Sequence, residues 1–127
     1  MIQGISNNVQ VTFATGYAYN TYLYIDLNND FDFNDAGELV YSGVSLGANP
    51  TTLNASFVMP GAAPLGQHRM RLSTGDGNFL TTSDPCYSGA YGVTLDFTVN
   101  VIATASTDSF DNARFVAYPN PVKDVLN

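Results

Sequence analysis

Between Tyr24 and Glu38 the chain reads Tyr-Ile-Asp-Leu-Asn-Asn-Asp-Phe-Asp-Phe-Asn-Asp-Ala-Gly-Glu. Five of its eleven carboxylates fall in this stretch: Asp26, Asp30, Asp32, Asp35 and Glu38. Asn28 and Asn34 add neutral oxygens. No Lys or Arg precedes Arg69, so no basic residue close in sequence offsets the cluster. Two carboxylates held about 5 Å apart repel by roughly 3 kcal/mol at an effective dielectric of ~20. Gathering them into one turn calls for a cation or for open solvation. Asp26, Asn28, Asp30 and Asp32 alternate, so their side chains converge if the loop curls, and Asp35 and Glu38 complete a candidate metal set. All these donors are hard oxygens, which favours calcium over zinc, and calcium's flexible coordination over magnesium's strict octahedron. The alternative is a solvated turn, since Asp and Asn favour turns without a metal. The loop is not an EF-hand. Counted from Asp26, Phe31 stands at the sixth position, where that motif needs Gly, and Glu38 comes one residue late. A phenylalanine does not enter the left-handed region cheaply, so the loop is expected to curl differently from a glycine-bearing one.

The elements that must position this loop are strands. Val9–Phe13 alternates with period two, as does Thr21–Leu27, with Thr21, Leu23, Ile25 and Leu27 on one face and Tyr22, Tyr24 and Asp26 on the other. Glu38–Ser42 reads as a short strand. Leu53, Ala55, Phe57 and Met59 share one face of the next, which Pro60 stops. Gln67–Ser73 alternates His68, Met70 and Leu72 against Gln67, Arg69 and Arg71. A long polar loop, Thr74–Gly89, precedes Tyr91–Ile102, whose Val93, Leu95, Phe97, Val99 and Val101 are expected to point inward. No amphipathic helix of useful length is present. Short strands at short intervals, with Gly/Pro turns between them, predict an all-β fold. The form expected is an antiparallel β-sandwich, Ig-like or jelly-roll-like.

The whole chain bounds the function. It has 127 residues, enough for one domain and a tail, with 45% hydrophobic and only 12% charged residues. A net charge of −7 argues against nucleic acid and against an electrostatic role at a membrane surface. No apolar run approaches the ~18 residues that would span a bilayer, so no membrane insertion is expected. Met1-Ile2-Gln3-Gly4 has neither the basic start nor the apolar run of a signal peptide, which suggests a piece of a longer precursor. Other candidate chemistry is thin. His68 is the only histidine and stands on a strand, where a packed role is commoner than a catalytic one, and no Ser/His/Asp set can be assembled. Arg69 and Arg71 are expected to pair with acidic groups rather than bind phosphate. The tyrosines Tyr17, Tyr19, Tyr22, Tyr24 and Tyr41 are core or sheet-face residues. The sharper alternative is a platform for a sugar or a protein, centred on Tyr22, Tyr24 and Tyr41. Cys86 has no partner in the chain.

The acidic stretch resembles the signature segment of the GEVED domain, an accessory module of secreted bacterial proteins. Ile25-Asp26, Asn28, Asp30, Asp32-Phe33, Asp35 and Gly37-Glu38 match that signature, while Tyr24 stands for its Trp and Phe31 for its Gly. Phe57 through Pro60 and Gly66 to Arg69-Met-Arg71 follow the family's middle motif. Tyr91-Gly-Val-Thr-Leu-Asp-Phe-Thr-Val-Asn-Val101 is similar to its closing motif, but both glutamates of the naming sequence are missing and only Asp96 remains. The resemblance covers about residues 9 to 102 and implies a non-catalytic extracellular module. It also implies a partner for Cys86 outside the chain, with a free thiol as the alternative.

A linker-like segment, 103–114, follows. The last stretch, 115–127, resembles the start of a type IX secretion C-terminal sorting domain, through Tyr118, Pro119, Asn120, Pro121, Asp124 and Leu126. The alternative is a terminal edge hairpin. The expected whole is a domain over 1–102, a linker, and a truncated sorting signal forming a short C-terminal β tail. Its expected role is that of a calcium-stabilised module for adhesion, spacing or surface assembly at the cell surface or beyond. Its expected partners are the type IX machinery and a glycan, a protein or a second copy. The alternative is a glycan- or peptide-binding accessory module of a secreted hydrolase such as a peptidase.

Overall fold

The computed structural model describes residues 1–104; the linker beyond 104 and the sorting-signal stretch, including Tyr118, Pro119, Asn120, Pro121, Asp124 and Leu126, lie outside the described residues. Six strands make up the fold: β1 (Ser6–Phe13), β2 (Tyr19–Ile25), β3 (Leu39–Val44), β4 (Thr51–Val58), β5 (Gly66–Asp76) and β6 (Gly92–Val101). Every stretch with period-two alternation became a strand, because that spacing puts alternate side chains on one face of a pleated ribbon. Two antiparallel sheets result, one of order β3-β2-β5-β6 and one of β1-β4. They face each other as an unequal sandwich.

The inter-sheet core is built from Leu23, Ile25, Ala55, Phe57, Met59, Ala63, Met70, Leu72 and Val101. Leu23, Ile25, Ala55 and Met59 are fully buried. The register explains the convergence: Leu23 stands opposite Leu72, and Ile25 opposite Met70. At one end of the sandwich Ile2 forms a parallel bridge with Ile102, beside the last rungs of β6.

The outer face of the four-stranded sheet is covered as well. Tyr22 and Tyr24 pack under Phe33 and Leu80, with Tyr87 against them. Phe33 comes from the β2–β3 loop, and Leu80 and Tyr87 from the β5–β6 loop. The Tyr24 and Phe33 rings lie 5.9 Å apart at 55°. Burial pushes the Tyr24 hydroxyl up to about 12.

The alternation of β6 is correctly read, but its burial is not. Val93, Leu95 and Phe97 remain 44%, 44% and 45% exposed. They are on the face that bears the core, since Leu95 is opposite Leu72 and Phe97 opposite Met70. A two-stranded sheet does not reach far enough across a four-stranded one to cover its last strand. β5 also runs to Asp76, further than expected, because Tyr19, Asn20 and Thr21 of β2 continue the ladder against Asp76, Gly75 and Thr74.

Truncating Leu23 to Ala would leave a void between two sheets that have little freedom to close on it. A loss of about 3 kcal/mol is expected in urea unfolding, against less than about 1 kcal/mol for Leu95→Ala, whose side chain already meets solvent.

Candidate metal loop

β2 ends where its last residues are still tied to neighbours. The Ile25 N–H donates to Glu38 O at 2.8 Å, and the Asp26 N–H to Arg69 O at 2.9 Å. The chain then leaves the sheet, and its side-chain carboxylates take over the pairing of its backbone. The Asp26 carboxylate, buried, accepts the Asp30 N–H at 3.1 Å on one oxygen and the Phe31 N–H at 2.9 Å on the other. Glu38, also buried, accepts the Leu27 N–H at 2.8 Å and the Asp35 N–H at 3.3 Å. Between them runs a series of Asx turns. Asn28 accepts from the Asp30 N–H at 3.1 Å, Asp30 from Asp32 at 3.1 Å, and Asp32 from Asn34 at 2.9 Å. Asp and Asn side chains are short enough to capture a backbone N–H two residues on, which lets the chain turn without a ladder.

Phe31 does what was expected to be costly. It adopts φ 74°, as Asn29 adopts 58° and Gly37 88°. The two N–H bonds that Asp26 accepts from Asp30 and Phe31 hold this conformation against its cost of about 1–3 kcal/mol. The Phe31 ring is largely exposed, with the Arg69 guanidinium 5.9 Å from its centroid.

All six sequence-predicted metal residues therefore sit in one loop. Two groups of carboxylates approach closely: Asp26 with Asp30 and Glu38, and Asp30 with Asp32 and Asp35, the candidate ligand atoms of each lying within 4.8 Å of one another. Asp30 belongs to both. The Asn28 amide donates to Asp30 at 3.0 Å and to Asp35 at 2.6 Å, bridging the outer group. The two ends of the cluster differ electrostatically. The backbone N–H of Asp32 holds Asp30 below its usual range, and burial pushes Glu38 above its own. Glu38 thus contributes stability below its ordinary value near 4.5 that is lost as the pH rises through its raised one. In neutral solution its buried charge weighs against the fold.

The basic residues nearby are otherwise engaged. Arg71 binds Asp96 through two parallel bonds, Nε at 2.6 Å and a terminal nitrogen at 2.8 Å, and reaches Pro85 O at 3.1 Å. Its guanidinium also lies 4.8 Å from the Phe33 centroid. Asp96, the acid left in the closing motif, thus holds Arg71 across the β5–β6 ladder, and Arg71 ties the β5–β6 loop to the outer face at Pro85. His68 is buried, its ring nitrogens 2.9 Å from Asp26 O and 2.8 Å from Pro64 O, which props the start of the acidic loop. Cys86 is free and exposed among the described residues.

The tyrosine platform is a correction. Tyr22 and Tyr24 are buried beneath Phe33 and Leu80, so these two rings offer no open stacking face, and Tyr41 is half-buried against the inter-sheet core. Outside the acidic loop the most displayed rings are Tyr17, Phe79 and Tyr91, at 66%, 53% and 67% exposure. Of these, the sequence reading singled out only Tyr17. Phe79 and Tyr91 stand at the two ends of a loop whose folding no periodicity reveals.

The chain is thus an all-β sandwich whose β2–β3 loop is organised by its own carboxylates. The GEVED domain model matches residues 20–100, well over half of the chain, and the chain belongs to that family. Neither the curated proteins nor the solved structures include a match to it.

The Arg71–Asp96 clamp carries a pH signature. Hydrogen bonding to Arg71 holds Asp96 below its usual range, so the pair contributes stability above about 3.8 that is lost as the pH falls through the depressed value. Because the pair is partly solvated and screened, Asp96→Asn is expected to cost only about 0.5–1 kcal/mol at pH 7. Urea unfolding of both proteins should show that difference vanishing once wild-type Asp96 is itself protonated.

Proposed function

We propose that this chain is a calcium-stabilised, non-catalytic module of a secreted protein, holding its shape for adhesion, spacing or assembly outside the cell. The observation that carries the reading is the pair of carboxylate groups sharing Asp30. Their oxygens are close enough for one hard cation to bind several at once, and no described arginine forms an ion pair with them, Arg71 being bonded to Asp96. Carboxylates at this separation repel by about 3 kcal/mol per pair at an effective dielectric of ~20. A divalent cation would remove that repulsion and compete for the place the Asn28 amide now takes between Asp30 and Asp35. Asp26, Asn28, Asp30, Asp32, Asp35 and Glu38 supply only oxygen ligands to it, as calcium prefers.

Export by the type IX route rests on the tail motif, Tyr118-Pro-Asn-Pro121 with Asp124 and Leu126, and an extracellular location is consistent with membership of a family typical of secreted proteins. The low content of charged side chains, and the Tyr, Thr, Asn and Gly in their place, fits the same setting.

Thermal melts in excess calcium and in chelator test the metal. Calcium at a hundredfold excess over its dissociation constant should raise stability by about 2.7 kcal/mol. Asp30→Ala is the informative variant, because it belongs to both groups and is exposed, so its removal leaves the sandwich intact. That variant should melt near the wild type in chelator and lose most of the calcium shift. Equal melts of the wild type with and without calcium would leave the loop a solvated turn.

A further inference from the structure

At the end of β2 away from the acidic loop, a cleft of about 300 Å³ is lined by Tyr17, Tyr19, Asp76, Asn78, Phe79 and Tyr91. From these residues we infer that this cleft is a binding site for a neutral sugar, a pyranose ring of an oligosaccharide. The inference is independent of the calcium reading: the two sites are separated by the length of β2, about 20 Å for a seven-residue strand.

The fold sets the parts in place. Tyr19 stands opposite Asp76 in the β2–β5 ladder. The Asp76 N–H donates to Tyr91 O at 2.9 Å, continuing that row onto the chain just before β6. Asp76 O accepts from the N–H groups of Phe79 and Leu80 at 2.8 and 2.9 Å, so a tight turn fixes Phe79 at the rim. The Phe79 and Tyr91 rings meet at 5.1 Å and 52°, making a corner, while Phe13 backs Tyr19 at 5.4 Å.

The chemistry of the lining is two-sided. Asp76 is only 9% exposed, yet it lines the cleft. One carboxylate oxygen accepts from the Asn78 backbone and side-chain nitrogens at 2.9 and 3.0 Å, which pins the plane of the group. The other oxygen accepts no hydrogen bond from any described residue. The hydroxyls of Tyr17, Tyr19 and Tyr91 are likewise without partners among the described residues. The free oxygen of this carboxylate opens onto the cleft, where a ligand hydroxyl can reach it, and its bond to a hydroxyl is charge-assisted. Exposed rings want an apolar face. A pyranose supplies both, with C–H groups on its flat side and hydroxyls around its edge that donate and accept. An organic ammonium could meet the rings and the carboxylate, but as a donor only it leaves the tyrosine hydroxyls and the Asn78 amide nothing to donate to. With no basic residue in the lining and a net charge of −7, an acidic sugar would be repelled.

Titration calorimetry of the full chain against neutral tetrasaccharides (β-1,4-linked glucose, β-1,4-linked mannose and α-linked mannose), in low and high NaCl, tests the site. At least one should bind saturably, with an affinity that salt changes little. Tyr91→Ala and Asp76→Asn should each weaken that binding at least tenfold with an unchanged thermal melt. Phe79→Ala, at another exposed ring, gives a third readout should either variant misfold. The inference fails if none of the sugars binds, or if binding survives these substitutions. It also fails if choline or the amide of Nα-acetyl-lysine binds instead, with an affinity that falls steeply with salt. Calcium-dependent melts of the same samples report on the acidic loop separately, so loss of one site is distinguishable from loss of the other.

Discussion

Two buried carboxylates, each closed on a pair of backbone N–H groups, are what the rest of the structure leans on. Asp26 and Glu38 sit at the start and end of the β2–β3 connection and take up donors that would otherwise be orphaned as the chain leaves the sheet. A buried charge is tolerable only when it is bonded in this way. The loop between them is consequently shaped by its own side chains, since no helix or strand runs through it. Within it Phe33 folds back onto Tyr24, while Asp30, Asp32, Asp35 and the Phe31 ring stay at the surface.

That return of Phe33 links the acidic loop to the stability of the sheet. The outer face of β2 and β5 has no second sheet over it, and would expose Tyr22 and Tyr24 if the loops did not cover it. Phe33 from one loop and Leu80 and Tyr87 from the other form a small second core. Arg71 ties this layer together, resting on Phe33 and bonding both Asp96 and Pro85. Whatever orders the acidic loop therefore also orders the outer layer.

The inequality of the two sheets has the opposite consequence. Four strands face two, so the inner face of β6 is left partly open along Val93, Leu95 and Phe97. Tyr91 lies just before that stripe, at the end where the aromatic cleft forms. The outer face of the four-stranded sheet is thus covered by loops, while its inner face stays partly open along β6.

The strands were legible because period-two alternation is local: each residue's face follows from its neighbours, whatever it packs against. The acidic loop was legible for a similar reason, since its carboxylates fall within thirteen residues and their repulsion is set by short distances along the chain. Burial was not legible where it depends on a distant element. Tyr22 and Tyr24 carry the same alternation whether the face they share is wet or dry, and only Phe33 and Leu80 arriving from two loops make it dry. Phe97 reads as core and is half exposed because the second sheet stops short of it. The positive φ of Phe31 is held by Asp26, a residue five positions back whose role appears only once the loop is closed. The sequence by itself determined the strand pattern, the family and the place where charge accumulates. Tertiary structure alone decided which rings are buried and which surround Asp76, because contacts between loops depend on how the sheets stack and on the paths of the connections, which no local pattern encodes.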